Sequence, residues 1–110
     1  MANTAYSSAD IVSHLTEGYF THMDAWAPFQ DGYSENLVRV IIACTEKLLV
    51  NPRDPEARAT MMWAATNSWN GFYIAGVGDS GCPCHALSHS ISAYYDTPHG
   101  ACLLYTSRCV

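Results

Sequence analysis

Apolar residues recur at intervals of three and four along most of the chain, which is the period of an amphipathic helix. Near the start, Ile11, Leu15 and Tyr19 follow this period behind Ser7 and Ser8, and either serine can cap the helix. No stretch of useful length alternates between apolar and polar residues as a strand does. The pattern therefore predicts an all-α fold.

Proline, glycine and serine mark the limits of the next predicted helix. The stretch 22–32 is expected to be a loop because Pro28 and Gly32 interrupt it. Ser34 then caps a second helix that ends before Pro52. Its apolar stripe is formed by Leu37, Val38, Ile41, Ile42, Thr45 and Leu48.

Three shorter helices are predicted in the rest of the chain. Asp54 and Pro55 provide a cap and a first turn, so a third helix begins there and ends near Gly71. A fourth runs roughly over residues 84–94, and a fifth begins at His99 behind a threonine–proline pair. Because aromatic side chains carry large apolar surfaces, we expect these to be buried in the core: Trp63, Trp69, Phe72, Tyr73, Tyr94 and Tyr95.

The composition of the chain argues against nucleic acids and membranes as binding partners. The formal net charge is −5 and basic residues form no stripe, which argues against a nucleic-acid partner. No apolar run approaches the roughly 18–20 residues of a membrane span, and the first residues lack signal-peptide features, so we expect a cytoplasmic protein with no membrane partner. Charged residues make up 14%, against an ordinary share of about 25%, which indicates that further protein covers part of the surface.

Four of the five histidines fall into patterned groups, one of them with an aspartate. Asp10 and His14 are four residues apart, which places both side chains on one face of a helix. His85 and His89 repeat this spacing, and His99 follows at the predicted start of the last helix. One carboxylate with imidazoles suits a borderline ion such as Fe²⁺ or Zn²⁺, and the site keeps a net positive charge that polarises an oxygen ligand.

Other interpretations of these residues stay open. Cys82, Cys84 and His85 offer thiolate and imidazole ligands for a competing zinc site, although their spacing is closer than structural zinc sites use. Alternatively, the histidines are incidental to a purely structural helical domain. His22 has no patterned partner and is expected to be solvated, whereas Cys44 lies in mid-helix and is expected to be a small buried side chain.

Three stretches resemble a known family. Residues 10–19 (DIVSHLTEGY) resemble the metal-binding helix of the iron-containing, or group III, alcohol dehydrogenases. Residues 85–100 (HALSHSISAYYDTPHG) resemble the family's second signature, with histidines at offsets 0, 4 and 14 followed by glycine. Residues 51–66 are most similar to the butanol dehydrogenase branch, and the resemblance covers about residues 5–101.

The resemblance implies a role for each matched residue. It places the family's four metal ligands on Asp10, His14, His85 and His99. It places His89 facing the nicotinamide and the substrate, with a part in proton movement. Fe²⁺ is the favoured ion and Zn²⁺ the alternative, since one carboxylate and three imidazoles accommodate either.

The implied reaction is reversible hydride transfer between a primary alcohol and NAD(P)⁺. The metal acts as a Lewis acid on the substrate oxygen, and NAD(H) or NADP(H) carries the hydride in the full-length protein. Small-molecule alcohols and aldehydes are the expected partners, and the full-length enzyme is expected to be a homo-oligomer. A small helical metal-binding module without redox activity is the alternative function.

The family's nucleotide-binding domain has no counterpart in this sequence. We therefore expect residues 1–101 to be a fragment of the helical C-terminal domain of the dehydroquinate synthase-like fold, inactive on its own. After His99 and Gly100 the sequence departs from the family, and residues 102–107 look like the translation of a transposase-adapter sequence. We expect residues 102–110 to be a non-native tail.

Overall fold

The computed structural model describes residues 2–107, which fold into five α-helices and one short 3₁₀ turn. The helices are α1 (Ala2–Thr21), α2 (Pro28–Val50), α3 (Pro55–Ser68), α4 (Pro83–Tyr95) and α5 (His99–Thr106), and the 3₁₀ turn is Phe72–Ile74. No strand occurs within this part of the chain, so the predicted all-α class is confirmed. None of the helices in this range combines the length and the apolar character needed to cross a membrane. α1 contacts all four other helices and lies at the centre of the arrangement.

The first two helices begin earlier than the caps predicted. α1 begins at Ala2, so Ser7 and Ser8 lie inside it, and the Ser8 hydroxyl donates to the carbonyl four residues before it (2.8 Å). α2 begins at Pro28, and Ser34 is buried within it. A proline in the first helical turn has no amide to leave unpaired and a favourable φ angle, so the last part of the predicted loop is helical.

The later boundaries agree with the sequence patterns. Asp54 caps α3, where its Oδ1 atom accepts the backbone amides of Glu56 and Ala57 at 3.0 Å each. α4 and α5 begin at Pro83 and His99, within a residue of the predicted starts. The two short helices that carry the second histidine group therefore lie where the sequence predicts them.

An aliphatic core between α1, α2 and α3 stabilises the fold. Leu15, Ile41 and Leu48 are almost completely buried, with exposed fractions of 0%, 0% and 1%. The cluster is completed by Leu37, Cys44, Ala57, Met61, Ala64 and Tyr73. Burying one large aliphatic side chain contributes about 1.5–3 kcal/mol, so this contact holds α1 in place. The buried position predicted for Cys44 is confirmed.

Most aromatic side chains predicted for the core lie at the surface instead. The prediction holds for Tyr73, which is 4% exposed. It is wrong for five others, which are 44–82% exposed: Trp63, Trp69, Phe72, Tyr94 and Tyr95. The buried stripe of α3 is built from smaller or flexible side chains at helical spacing, namely Ala57, Met61, Ala64 and Ser68. That stripe packs toward α2, which turns Trp63 to the opposite side of the helix.

The last helix continues past the stretch that resembles the family. Residues 102–106 complete α5, and Leu103 and Thr106 are fully buried there. The expectation that residues 102–110 form a non-native tail stays a prediction, and residues 108–110 lie outside the described part of the chain.

Candidate metal centre

One aspartate and three of the histidines singled out in the sequence meet where α1, α4 and α5 come together. The Oδ1 atom of Asp10 is surrounded by three Nε2 atoms, those of His85 (3.2 Å), His14 (3.5 Å) and His99 (3.6 Å). The side chains of His85 and His14 are 7% and 17% exposed. Those of Asp10 and His99 are 35% and 32% exposed, so the cluster opens to solvent on one side.

The donor atoms of Asp10, His85 and His99 have the chemistry and the spacing that a divalent ion needs. In a tetrahedral site with metal–nitrogen distances of about 2.0–2.1 Å, neighbouring ligand atoms lie about 3.3 Å apart. The distances of 3.2–3.6 Å around Asp10 are close to that value. Asp10, His85 and His99 each offer one ligand atom, and these three atoms all lie within 4.8 Å of one another. His14 does not belong to this group of three.

A close contact between α1 and α5 brings His99 to the cluster. A Cβ atom at Gly100 would clash with the carbonyl oxygen of Tyr6, so glycine allows α5 to approach α1 this closely. The buried Ser88 hydroxyl lies 3.0 Å from Nδ1 of His99 and donates to the His99 carbonyl oxygen at 3.4 Å. With its proton used there, Ser88 can accept the Nδ1–H of His99, and in that tautomer the imidazole lone pair is on Nε2.

A buried glutamate that sequence reasoning did not assign lies behind His85. Glu17 is 5% exposed, and its Oε1 atom lies 2.5 Å from Nδ1 of His85. It also accepts hydrogen bonds from the Ser13 hydroxyl and from the backbone amides of Cys84 and His85. Burial acts to raise the pKa of Glu17, but the hydrogen bonds from His85 and Ser13 outweigh it and lower that pKa below its ordinary value. The available signal was its position seven residues after Asp10, on the same face of α1.

Burial favours the neutral form of two of the imidazoles. Burial and the neighbouring His85 ring lower the pKa of His14. Burial, helped by the nearby His89 and His85 rings, lowers the pKa of His99 against the opposing effect of Asp10. Within residues 2–107, His14 Nδ1 is buried and has no hydrogen-bond partner. A neutral imidazole keeps a free lone pair, which is the form that binds a metal ion.

Two further aromatic rings border the cluster. His89, the residue expected to be catalytic, is exposed on α4, and its ring centroid lies 4.7 Å from that of His99. Trp69, expected in the core, is 60% exposed and its ring centroid lies 4.0 Å from that of His14. The structure therefore places both side chains beside the candidate ligands.

The competing cysteine site does not form in the described part of the chain. No group of three or more potential metal ligands in residues 2–107 includes Cys82 or Cys84. His85 would be needed for both sites, and its two ring nitrogens already face Glu17 and Asp10. The geometry therefore favours the aspartate–histidine cluster.

His22 is not the solvated side chain that the sequence predicts. Its side chain is 12% exposed, and its Nε2 atom lies 3.1 Å from Oδ1 of Asp31. Because α2 begins at Pro28, Asp31 falls in its first turn, within reach of the end of α1. His22 therefore pairs with a carboxylate of its own, outside the candidate metal centre.

The chain matches a known protein family over most of its length. The model of the Fe-containing alcohol dehydrogenase family, C-terminal, matches residues 4–106 of the chain. The chain belongs to the iron-containing alcohol dehydrogenase family, as the two histidine motifs predict.

Two curated relatives come from Clostridium acetobutylicum. Its NADH-dependent butanol dehydrogenases A and B are 40% and 41% identical to this chain over 97 residues. Each alignment covers 88% of this chain and 24% of the relative. The chain therefore spans about a quarter of the length of these relatives.

Two solved structures share the fold. The substrate- and cofactor-free form of the aldehyde reductase YqhD from Escherichia coli matches with a TM-score of 0.85 and 31% identity, covering 93% of this chain and 26% of that one. The NADH-dependent butanol dehydrogenase A from Thermotoga maritima matches with a TM-score of 0.74 and 38% identity, covering 90% and 24%. The C-terminal domain fold expected from the resemblance is therefore confirmed.

Proposed function

We propose that Asp10, His14, His85 and His99 form the metal centre of an alcohol dehydrogenase that interconverts primary alcohols and aldehydes. The observation that carries this proposal is the convergence of three Nε2 atoms on one carboxylate oxygen, at 3.2–3.6 Å. The names of the relatives, which are butanol dehydrogenases and an NADPH-dependent aldehyde reductase, support this reaction class. Fe²⁺ is the favoured ion and Zn²⁺ the alternative.

The charges of the cluster suit this chemistry. One carboxylate offsets one of two positive charges, and three neutral imidazoles add none, so the occupied site stays cationic. Bound there, a divalent cation supplies Lewis acidity toward an alcohol or carbonyl oxygen. The partial exposure of Asp10 and His99 leaves an approach for a small substrate. NADH or NADPH, bound by another part of the longer protein, supplies the hydride chemistry.

His89 is the residue we propose for proton transfer. It is exposed on α4, one helical turn after His85, with its ring 4.7 Å from that of His99. An imidazole gains and loses a proton near neutral pH, and this position lies between the cluster and solvent. His89 can therefore hold the proton that an alcohol must lose on oxidation and release it to water.

Exposed apolar side chains support the proposal that the full-length enzyme is a homo-oligomer. The large apolar side chains that are at least 64% exposed are Phe20, Met23, Trp26, Phe29, Val50, Met62, Trp63, Tyr94, Tyr95 and Tyr105. Large apolar patches on a protein surface mark contacts with other protein. Such contacts also account for the low proportion of charged residues.

A titration with Co²⁺ tests the ligand assignment, because this ion absorbs visible light when nitrogen and oxygen ligands hold it. We expect one Co²⁺ per wild-type chain. Since even a residue behind a ligand is worth about 10–100-fold in affinity, we expect His85→Ala to weaken binding at least as much. His22→Ala is the matched control, because His22 is also a partly buried imidazole beside a carboxylate. Equal stoichiometry and affinity in the two variants would contradict the assignment.

The redox role needs a separate test. With Fe²⁺ or Zn²⁺, NADH and butyraldehyde, we expect this chain alone to cause no loss of nicotinamide absorbance. The reason is that residues 2–107 contain no strand, and therefore no strand–turn–helix unit of the kind that binds a dinucleotide. A glycine-rich nucleotide-binding domain encoded in frame upstream would support the dehydrogenase, whereas a true start site at Met1 would favour the small metal-binding module.

A further inference from the structure

Both carboxylate oxygens of the buried Glu17 accept hydrogen bonds, and most of the donors belong to α4 rather than to its own helix. Its Oε2 atom accepts the backbone amides of Cys84 (2.7 Å) and His85 (3.2 Å), at the first turn of α4. Its Oε1 atom accepts the Ser13 hydroxyl (2.8 Å) and lies 2.5 Å from Nδ1 of His85. The two carboxylate oxygens therefore serve different partners: one satisfies the end of a helix, and the other holds an imidazole.

We propose that Glu17 is a positioning residue for the metal centre, which holds His85 in the tautomer that presents the lone pair of Nε2 to the ion. The inference rests on the proposed function, because it assigns a task to the site described there. A carboxylate that accepts at both oxygens takes the hydrogen of His85 Nδ1. Nε2, which lies 3.2 Å from Asp10 Oδ1, is then the nitrogen that offers its lone pair to a bound ion.

Glutamine at this position separates the two tasks of Glu17. Its single oxygen must stay at the Oε2 position, because an amide NH₂ there would face the two backbone N–H donors of α4. Its NH₂ group then occupies the Oε1 position and donates to His85 Nδ1. This donation moves the imidazole hydrogen to Nε2, the ligand atom. Glu17→Gln therefore keeps the helix cap and reverses the tautomer.

The experiment combines two measurements on the 110-residue chain. In the metal-free protein, nitrogen NMR of the imidazole rings reports which nitrogen of His85 carries the hydrogen. We expect a hydrogen on Nδ1 in the wild type and none on Nδ1 in Glu17→Gln. In the Co²⁺ titration we expect Glu17→Gln to bind about 10–100-fold more weakly than the wild type, which is the usual effect of losing a partner behind a metal ligand.

Glu35→Gln is the matched control, because that glutamate is exposed and pairs with Arg39 on α2, away from the cluster. We expect it to match the wild type in both measurements. Wild-type affinity for Co²⁺ in Glu17→Gln would overturn the inference. So would finding wild-type His85 without a hydrogen on Nδ1, and this second result needs no variant to fold. If no chain binds Co²⁺, the proposed function fails while the NMR measurement still decides the role of Glu17.

Discussion

The two sides of α1 hold their neighbours in different ways. On the side that faces α2, Leu15 lies in an aliphatic cluster with Leu37 and Ile41. On the side that faces α4, Glu17 accepts the Ser13 hydroxyl from α1 itself and the backbone amide of Cys84 from α4. Hydrophobic contact is non-directional and grows with buried area, whereas a hydrogen bond depends on distance and angle. The first side therefore supplies stability, and the second fixes geometry.

This difference matters because a polar cluster is costly to bury. A buried carboxylate without partners destabilises a protein, but Glu17 is surrounded by donors from Ser13, Cys84 and His85. The aliphatic side holds α1, so the polar side is free to place Asp10 and His14 for binding. Substitutions on the first side should change stability, and those on the second should change metal affinity.

The largest change in stability should come from shortening a buried side chain that packs on the aliphatic side of α1. Ile41 is completely buried, so Ile41→Ala should lower the free energy of unfolding by about 2–5 kcal/mol in urea titrations. Co²⁺ affinity of the folded molecules should stay at the wild-type value. The neighbouring Ile42 is 49% exposed, and Ile42→Ala is the matched control with a much smaller loss of stability. Weakened Co²⁺ binding in folded Ile41→Ala would break the separation between the two sides.

The sequence predicts relations within one helix better than contacts between helices. Local spacing decides which residues share a helix face, so the pairing of Asp10 with His14 was accessible from the sequence. The contact between Glu17 and His85 joins residues 68 positions apart. No local period reports such a contact, which depends on how α4 packs on α1. The resemblance to a family supplied the convergence of the histidines, and it left Glu17 without a role.

Which aromatic residues are buried was hard to predict from the sequence for a related reason. A helical pattern shows that a stripe exists, but not which stripe meets the neighbouring helix. In α3 the alanines at 57 and 64 face the core, so Trp63 faces outward. Trp69 follows the end of that helix and lies against His14 instead. The large apolar surface of these two tryptophans therefore led to the wrong prediction that they are buried in the core.

A smaller effect on stability, with a clear effect on binding, is expected at the contact between α1 and α5. Gly100→Ala places a Cβ atom against the Tyr6 carbonyl oxygen, so α5 must shift, at a cost of about 1–3 kcal/mol. Because His99 is the adjacent residue, Co²⁺ should bind more weakly. Gly32 in α2 has open space around its Cα, so Gly32→Ala should raise stability by about 0.4–1 kcal/mol and leave binding unchanged. Unchanged Co²⁺ affinity in Gly100→Ala would show that α5 has room to adjust.

The smallest effect is expected at the cysteine beside the polar side of α1. Burial, with the nearby Glu17 carboxylate and Cys84, raises the pKa of the Cys82 thiol above its ordinary value. A thiol must lose its proton to bind zinc, so the raised pKa makes Cys82 a poorer ligand at neutral pH. Cys82→Ala should bind Zn²⁺ with the same affinity as the wild type in a chelator competition at pH 7, whereas His99→Ala should bind much more weakly.

The pH dependence sharpens this test. Because a thiol releases its proton when it binds an ion, any role of Cys82 would appear as a wild-type advantage over Cys82→Ala that grows with pH. We expect the two affinities to remain equal as the pH rises. An advantage that grew in this way would mean that a thiolate shares the ion with the histidines. The segment that precedes α4 would then supply a metal ligand of its own, in addition to those on α1, α4 and α5.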